Sequence, residues 1–453
     1  MKILIVGCGK LGMLIAEKLI EERHHVTIID RDETVLDKCN ELLDALTVKG
    51  SGVSQQTLQE ADVDHADIVI ATTMSDETNM LCSLTAKKLG AKYTVARIRD
   101  PEYLESLPFL TKELFINYAM NPERATAREI SRMLRLPFAA SIETFARGLV
   151  ELVEIKVTGR EPFANIPLKD LYRRNPHLPR VLFCIVERDM HPIIPKGDFV
   201  IHSGDRVFVA ADTATITAFF KSIGMDMKGV KDAIIVGGSR IAYYLAQSLC
   251  ASGVDTKIIE RKIEKARFLS EQLEDATIIQ GDGTDYELLM SEGLDDVDAF
   301  ISLTDRDEEN LLTGLYAHQN TNAKVIVKNT RLEYPDLLRS MGLESIINPR
   351  QIACNIILRT VRARMNTAGT AVERMYKLSG GKVEALEFVV KPKAPYIGIP
   401  LKDLKIKDHS LVAVIARKGH ARVPFGDDVM QADDHVVIIT KETGITDLEK
   451  VFG

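Results

Sequence analysis

Gly7, Gly9 and Gly12 follow the apolar run Ile3-Leu4-Ile5-Val6 at the spacing Gly-x-Gly-x-x-Gly, which suits phosphate chemistry. Gly7 permits a tight turn, Gly9 lets the backbone approach a pyrophosphate, and Gly12 lets a helix pack closely on the strand. The phosphates then rest on unpaired N–H groups at the helix start, where the dipole favours negative charge. Asp30 closes the next strand pattern and offers a carboxylate to ribose hydroxyls. Its charge repels a 2′-phosphate, which favours NAD over NADP. The same acid serves the ribose of ATP or ADP equally well.

The pattern returns about 230 residues later. Gly237, Gly238, Ser239, Arg240, Ile241 and Ala242 answer to Gly7, Cys8, Gly9, Lys10, Leu11 and Gly12, and Glu260-Arg261 to Asp30-Arg31. Alanine is accepted at the last glycine position. Ser239 adds a side chain where backbone and phosphate nearly touch, so two readings stand: a working second site, and a degenerate stabilising copy. Lys10 and Arg240 share one position inside the turn. Either they offset a charged phosphate chain, which raises the nucleoside-triphosphate option, or they are solvated cations at a helix start. Further along, Gly50-Ser51 and Gly281-Asp282 end the third strand patterns, near an adenosine. Thr72-Thr73 and Leu303-Thr304 end the fourth, where strand ends line a ligand crevice. Arg97 and Lys328 end the fifth, as cations toward the phosphates or as solvated strand-end charges.

Nothing in the sequence demands catalysis. A dehydrogenase needs a proton-moving side chain beside the nicotinamide. The ten histidines form no His-x-x-x-His and no cluster with carboxylates. Only His191 and His420 match between the copies, and both precede a proline-glycine turn, a hairpin position. Gly-x-Ser-x-Gly and Gly-Lys-Ser/Thr are missing. The acidic runs at 76–77 and 307–309 open helix patterns, where acids suit the dipole better than they suit a metal. A non-enzymatic role is therefore expected. Its rivals are an NAD-dependent dehydrogenase and a structural scaffold with vestigial sites.

The elements that position these residues come twice. With 453 residues the chain exceeds a single hydrophobic core. Its 45% hydrophobic and 27% charged content is that of a soluble globular protein. A net charge of −7 gives no pull toward nucleic acid. No apolar run reaches the ~18 residues of a membrane span, and six scattered cysteines without Cys-x-x-Cys fit a reducing cytosol. Beyond the glycine turn, Asn121-Pro122 matches Asn348-Pro349, and Ile166-Pro167-Leu168-Lys169-Asp170-Leu171 recurs identically at Ile399–Leu404. The order is thus A-B-A-B. In the first A module, 2–6, 26–30, 67–73 and 93–98 read as strands, with helices at 11–22, 32–44 and 77–89. That alternation implies a doubly wound, Rossmann-like parallel sheet. The B modules, with alternating patterns and glycine turns, read as small α+β lobes. Expected domains are 1–135, 136–225, 226–363 and 364–453, with junctions near Gly224–Lys231 and in a linker near 364–380.

This order resembles the RCK (KTN) family of TrkA-type potassium-transport regulators over essentially the whole chain. The resemblance rests on the glycine turn with Asp30, on Thr73-Met74-Ser75-Asp76-Glu77-Thr78-Asn79, on Ala96-Arg97-Ile98-Arg99-Asp100-Pro101-Glu102, and on Ile194-Pro195-Lys196-Gly197-Asp198 with Gly204-Asp205. It implies two RCK units, each an NAD-binding lobe plus a C-lobe, in a peripheral regulatory subunit on the cytosolic face of the inner membrane. Such a subunit binds NAD(H) or adenine nucleotide, assembles as a homo-oligomeric ring and gates a Trk-type membrane potassium-translocating subunit. By the same analogy the helices after Asn121-Pro122 and Asn348-Pro349 carry contacts between lobes. Ser239, Ala242, and Asp433-Asp434 in place of Gly204-Asp205, depart from the family pattern.

Overall fold

Strand β1 (Lys2–Val6) is buried at every position but its first, as an inner strand of a sheet covered on both faces must be. The computed structural model describes residues 1–103, 105–225, 229–331, 335–366, 372–379, 382–442, 445 and 447–452. The chain continues as α1 (Lys10–Glu21), β2 (His25–Asp30), α2 (Glu33–Leu42), β3 (Leu46–Lys49), α3 (Gln55–Glu60), β4 (Ile68–Ala71), α4 (Asp76–Lys88), β5 (Thr94–Arg97), α5 (Leu107–Glu113), β6 (Tyr118–Met120) and α6 (Pro122–Arg135). The strands are parallel in the order β3-β2-β1-β4-β5-β6, so the order reverses between β1 and β4. Caps explain the helix starts: Asp32 accepts from the Thr34 amide to open α2, and Ser75 from the Thr78 amide to open α4.

The first C-lobe comes next, with β7 (Ser141–Phe145), β8 (Val150–Lys156), α7 (Leu168–Arg174), β9 (Leu182–Arg188), β10 (His191–Ile193), β11 (Arg206–Asp212) and α8 (Thr213–Ser222). The second Rossmann-like lobe repeats the first as β12 (Asp232–Val236), α9 (Arg240–Ala251), β13 (Asp255–Glu260), α10 (Ile263–Gln272), β14 (Thr277–Gln280), α11 (Tyr286–Ser291), β15 (Ala299–Ser302), α12 (Asp307–Asn320), β16 (Lys324–Lys328), α13 (Pro335–Ser340), β17 (Ser345–Ile347) and α14 (Pro349–Asn366). Its sheet order, β14-β13-β12-β15-β16-β17, reproduces the reversal. The last lobe holds β18 (Val372–Leu378), β19 (Val383–Val389), β20 (Ser410–Arg417), β21 (His420–Arg422) and β22 (His435–Thr440). The fold is the duplicated α/β architecture expected. One expectation is corrected: α14 runs on to Asn366 and β18 occupies Val372–Leu378, so most of the linker placed at 364–380 is regular structure. Residues 367–371 and 380 of that stretch, and residues 226–228 of the other junction, lie outside the described residues.

Contacts divide the chain into two units. Met1–Ser131 with Lys231–Val361 joins the two Rossmann-like lobes. Within it, Ala353, Cys354, Ile357, Leu358 and Val361 of α14 share a core with Leu11, Ile15 and Leu19 of α1. On the other side, Ser131 of α6 reaches Ser248 of α9 at 3.3 Å. Each lobe's last helix therefore meets the other lobe's first helix. Arg132–Val230 with Arg362–Gly453 forms the second unit, where antiparallel sheets β10-β9-β11-β8-β7 and β18-β19-β22-β20-β21 bury one common cluster that includes Phe145, Leu152, Phe208, Val383, Val414 and Val437.

Both C-lobes hold a forked ion pair: Arg188 donates to both Asp205 oxygens at 2.8 and 2.7 Å, and Arg417 to Asp434 at 2.6 and 2.7 Å. Asp433 replaces Gly204 without altering the turn, since both are left-handed and Asp tolerates that region. Burial pushes the Asp205 carboxyl up, but the Arg188 fork and the His202 amide outweigh it and hold the group below its ordinary value. Its stabilising contribution is complete above the unfolded carboxylate range, about pH 4, and is lost as pH falls through the lower folded value. Asp205→Asn is therefore expected to lower stability at pH 7 by about 1–3 kcal/mol. Urea midpoints compared at pH 7 and at acid pH check this; the gap between variant and parent should narrow in acid.

Candidate functional site

The turn after β1 is built on one conformational demand: Gly7 has φ +90, and an added Cβ would lie 2.8 Å from the Thr73 amide nitrogen. Gly12 is held as tightly, since a Cβ there would meet the Gly7 carbonyl oxygen at 2.1 Å. Gly9 differs, with nothing within 4 Å of a Cβ. As N-cap of α1 it also supplies no capping side chain, so no cap side chain occupies the first N–H groups of α1. Such an end receives a phosphate.

Asp30 and Glu260 occupy the same place in their halves. Asp30 accepts from the Cys8 amide at 2.6 Å and from the Asp32 amide at 3.0 Å. Glu260 accepts from the Gly238 amide at 2.6 Å and from the Lys262 amide at 2.7 Å. Each acid thus ties its strand end to the glycine turn. Just past the paired strand ends, Arg31 donates to the Ser51 hydroxyl at 2.6 Å, and Arg261 lies 3.8 Å from Asp282. Gly50 precedes Ser51, and its amide donates to the Asp30 carbonyl.

Thr72 and Thr73 lie just beyond β4, a residue or two past the strand, with Leu303 and Thr304 likewise after β15. The Thr72 hydroxyl donates to the Gly7 carbonyl at 2.9 Å. A buried asparagine fixes each crevice wall. The Asn79 Oδ1 accepts from the Thr73 amide and hydroxyl at 2.9 and 2.7 Å, while Nδ2 donates to the Thr73 and Arg97 carbonyls at 3.2 and 2.9 Å. Asn310 repeats this with Thr304 and Lys328. Asp76 accepts from the Arg99 and Asp100 amides, and Asp307 from the Thr330 amide and hydroxyl. The sequence reading placed no role on Asn79 and Asn310; their recurrence at matching positions was the available signal.

An open cleft of about 240 Å³ lies at the second turn. Gly237, Gly238, Ser239, Glu260, Arg261, Asp282, Leu303 and Thr304 all line it, together with Lys262, Lys265 and Arg306, which the sequence did not single out. Lys328 is 7% exposed, its Nζ 3.5 Å from the Leu303 carbonyl and 3.8 Å from Asp305. Burial pushes its ammonium down, against the pull of Asp305 and Asp307. Ser239 spends its hydroxyl on its own helix, accepting from the Ala242 amide at 3.3 Å. This is one N–H that α1 leaves open and α9 does not.

Other candidates lie elsewhere. Leu11, Ile241 and the side chain of Cys8 are buried, so these positions offer backbone only. Lys10 is exposed at the turn. Arg240 instead pairs with Asp100 of the first lobe at 2.9 Å, and the nearby Tyr244 hydroxyl donates to the Arg99 carbonyl at 2.8 Å. Arg97 shares its surroundings with Arg99, Glu123 and Arg240, and burial pushes its guanidinium down. His191 and His420 are exposed, each at the start of a short hairpin strand.

Similarity to known proteins spans both halves of the chain. The TrkA-N domain matches residues 3–122 and 233–349, and the TrkA-C domain residues 152–224 and 385–453. Trk system potassium uptake protein TrkA of Vibrio alginolyticus is 31% identical over 459 residues, covering 100% of this chain and 98% of that protein. The Trk system potassium uptake protein TrkA homolog of Archaeoglobus fulgidus is 30% identical over 454 residues, with 100% of both covered. Among solved structures the GsuK channel aligns with a TM-score of 0.63 at 18% identity, over 97% of this chain and 76% of that one, a likeness of fold. Two nucleotide-type turns with their acids, two C-lobes and full-length identity lead to one family: this chain belongs to the TrkA family, with its TrkA-N and TrkA-C domains each present twice.

Proposed function

We propose that this chain is a peripheral regulatory subunit of a potassium uptake system. It binds NAD(H), or ATP or ADP, in its Rossmann-like lobes and gates a Trk-type membrane subunit from the cytosolic face. The observation that carries the reading is the twice-built turn, with an open helix N-terminus over Gly9 and an acid at the ribose position. The relatives' names, which give potassium uptake, and structures of the GsuK channel bound to NAD and to ADP support it. Among the described residues no helix is long and apolar enough to cross a membrane. Residues 1–135 with 136–225, and 226–363 with 364–453, act as the two regulatory units, and several chains close a ring.

Binding shifts the transport-competent population only by differential affinity for the two arrangements, with a usual coupling of about 1–3 kcal/mol. Calorimetric titration of the full chain with NAD, NADH, ATP and ADP tests the reading. Asp30→Ala is expected to weaken the first site about 10- to 100-fold, the worth of hydrogen bonds to a charged acceptor. No binding by any of the four sinks the proposal, as does unchanged potassium uptake at low external potassium when the gene is deleted without a paralogue.

Arg240 gives a second check. As half-exposed partner of Asp100 it should contribute about 0.2–1 kcal/mol to stability. A double-mutant cycle of Arg240→Ala and Asp100→Ala, read by urea unfolding, should return a coupling of that size. Arg240→Ala should leave ATP affinity at the second site nearly unchanged.

A further inference from the structure

The first phosphate turn rests on a pair of thiols that the second lacks. The Cys8 and Cys39 sulfurs lie 3.1 Å apart and both residues are buried, at 3% and 0% exposure. Cys8 stands between Gly7 and Gly9, and its amide donates to the Asp30 carboxylate. Cys39 lies on α2, the helix that starts just past that acid. The corresponding positions of the second half are Gly238 and Leu269. There a Cβ added to Gly238 would lie 2.6 Å from a Leu269 methyl, so one leucine fills the volume that two sulfurs fill in the first half. Packing alone is therefore satisfied without sulfur.

We propose that Cys8 and Cys39 are a reversible oxidation site, whose disulfide switches off ligand binding at the first turn only. The oxidant class is a peroxide. One thiol, as thiolate, attacks the O–O bond and becomes a sulfenic acid as hydroxide leaves. The second thiolate attacks that sulfur, the S–S bond forms and a second hydroxide departs. With the two thiol protons the sum is one hydrogen peroxide and two thiols giving one disulfide and two waters. The thiols lose two electrons and the peroxide gains them.

A disulfide bond of about 2.05 Å requires the sulfurs to close by ~1 Å. Cys39 is set in a helix and Cys8 in a turn, so the turn moves. That draws the amides beside Gly9 toward α2 and away from a phosphate. Burial pushes both thiols up, so the pair is protonated and slow to react until the turn opens. A ligand seated on the turn holds it shut, and by reciprocity whatever disulfide costs the ligand, ligand costs the disulfide. The effect on ligand rests on the nucleotide reading above; the cross-link does not.

The test exposes the full chain to hydrogen peroxide with and without NADH. Intact mass follows the loss of two hydrogens (~2 Da), and non-reducing peptide mapping locates the bond. The expected result is a Cys8–Cys39 cross-link that forms more slowly with NADH present. First-site affinity for NADH should fall at least about tenfold and recover with dithiothreitol. Cys39→Ala, or Cys39→Leu if the cavity unfolds the lobe, should bind NADH in the reduced state and ignore peroxide. Oxidation of the half-exposed Cys250 without any Cys8–Cys39 bond overturns the proposal. So does a cross-linked chain with unchanged affinity. A reduced chain that binds none of the four nucleotides would end the nucleotide reading instead and overturn the switch with it, while mass alone still decides the cross-link.

Discussion

Gly7→Ala is expected to cost the chain about 2–5 kcal/mol and to abolish ligand binding at the first turn. Two effects add. A non-glycine residue in the left-handed region costs roughly 1–2 kcal/mol, and overpacking typically about 1–3 more. Both apply, because φ is +90 and the new Cβ would stand 2.8 and 2.9 Å from the amide nitrogen and Cα of Thr73, which are backbone atoms. Nor can Thr73 step aside, since Asn79 grips its amide, hydroxyl and carbonyl. Gly237→Ala should behave alike in the second half, where φ is +97 and the Thr304 nitrogen would lie 2.8 Å from the Cβ. Gly9→Ala makes the contrast. Its Cβ meets nothing within 4 Å, so stability should change by less than about 0.5 kcal/mol while nucleotide affinity falls. Urea unfolding and calorimetry on the three variants separate the roles. If Gly9→Ala unfolds as readily as Gly7→Ala, the open space above Gly9 is not there.

Asn79→Ala should be the costliest polar substitution in the first lobe, at about 3 kcal/mol. The side chain is fully buried and its two polar groups make four bonds. Truncation leaves the Thr73 amide and the Arg97 carbonyl to find new partners at the end of the crevice, and each buried orphan costs about 1–3 kcal/mol. Because the lost bonds join the ends of β4 and β5, nucleotide affinity should fall with stability. Asn310→Ala should lose a similar amount, since Asn310 makes the same contacts and accepts from the Ser302 hydroxyl as well. A loss below about 1 kcal/mol for either variant in urea would mean that water replaces the bonds.

Much of this architecture obeys local rules. Strand and helix alternation, the glycine turns and the acids that end β2 and β13 rest on hydrophobic period and on contacts a few residues apart, and those are written in the sequence. Repetition strengthened the reading, since the same residues recur at one offset. Even so, one identical hexapeptide takes two conformations. Ile166–Leu171 leads into α7, whereas in Ile399–Leu404 only Leu401–Asp403 form a turn of 3-10 helix. The difference lies at the C-terminal side of each copy: Tyr172-Arg173-Arg174 continue the helix, but Leu404 is already extended. A nucleus of one turn is too short to fix its own state, so its context decides.

The duplicated doubly wound sheets, the two turns and their acids, the paired small lobes and the family resemblance were all legible in the order of residues. The partners of individual side chains were not, and packing alone assigned them. It sent Arg240 to Asp100 of the other lobe, joined Asn79 to the ends of two strands, turned both acids onto the turn amides, and brought Cys8 to Cys39 across a strand and a helix. The reason is physical. Backbone state is set by sterics and periodicity over a few residues, while a side chain's partner depends on which distant segments the packed sheet brings within about 3 Å.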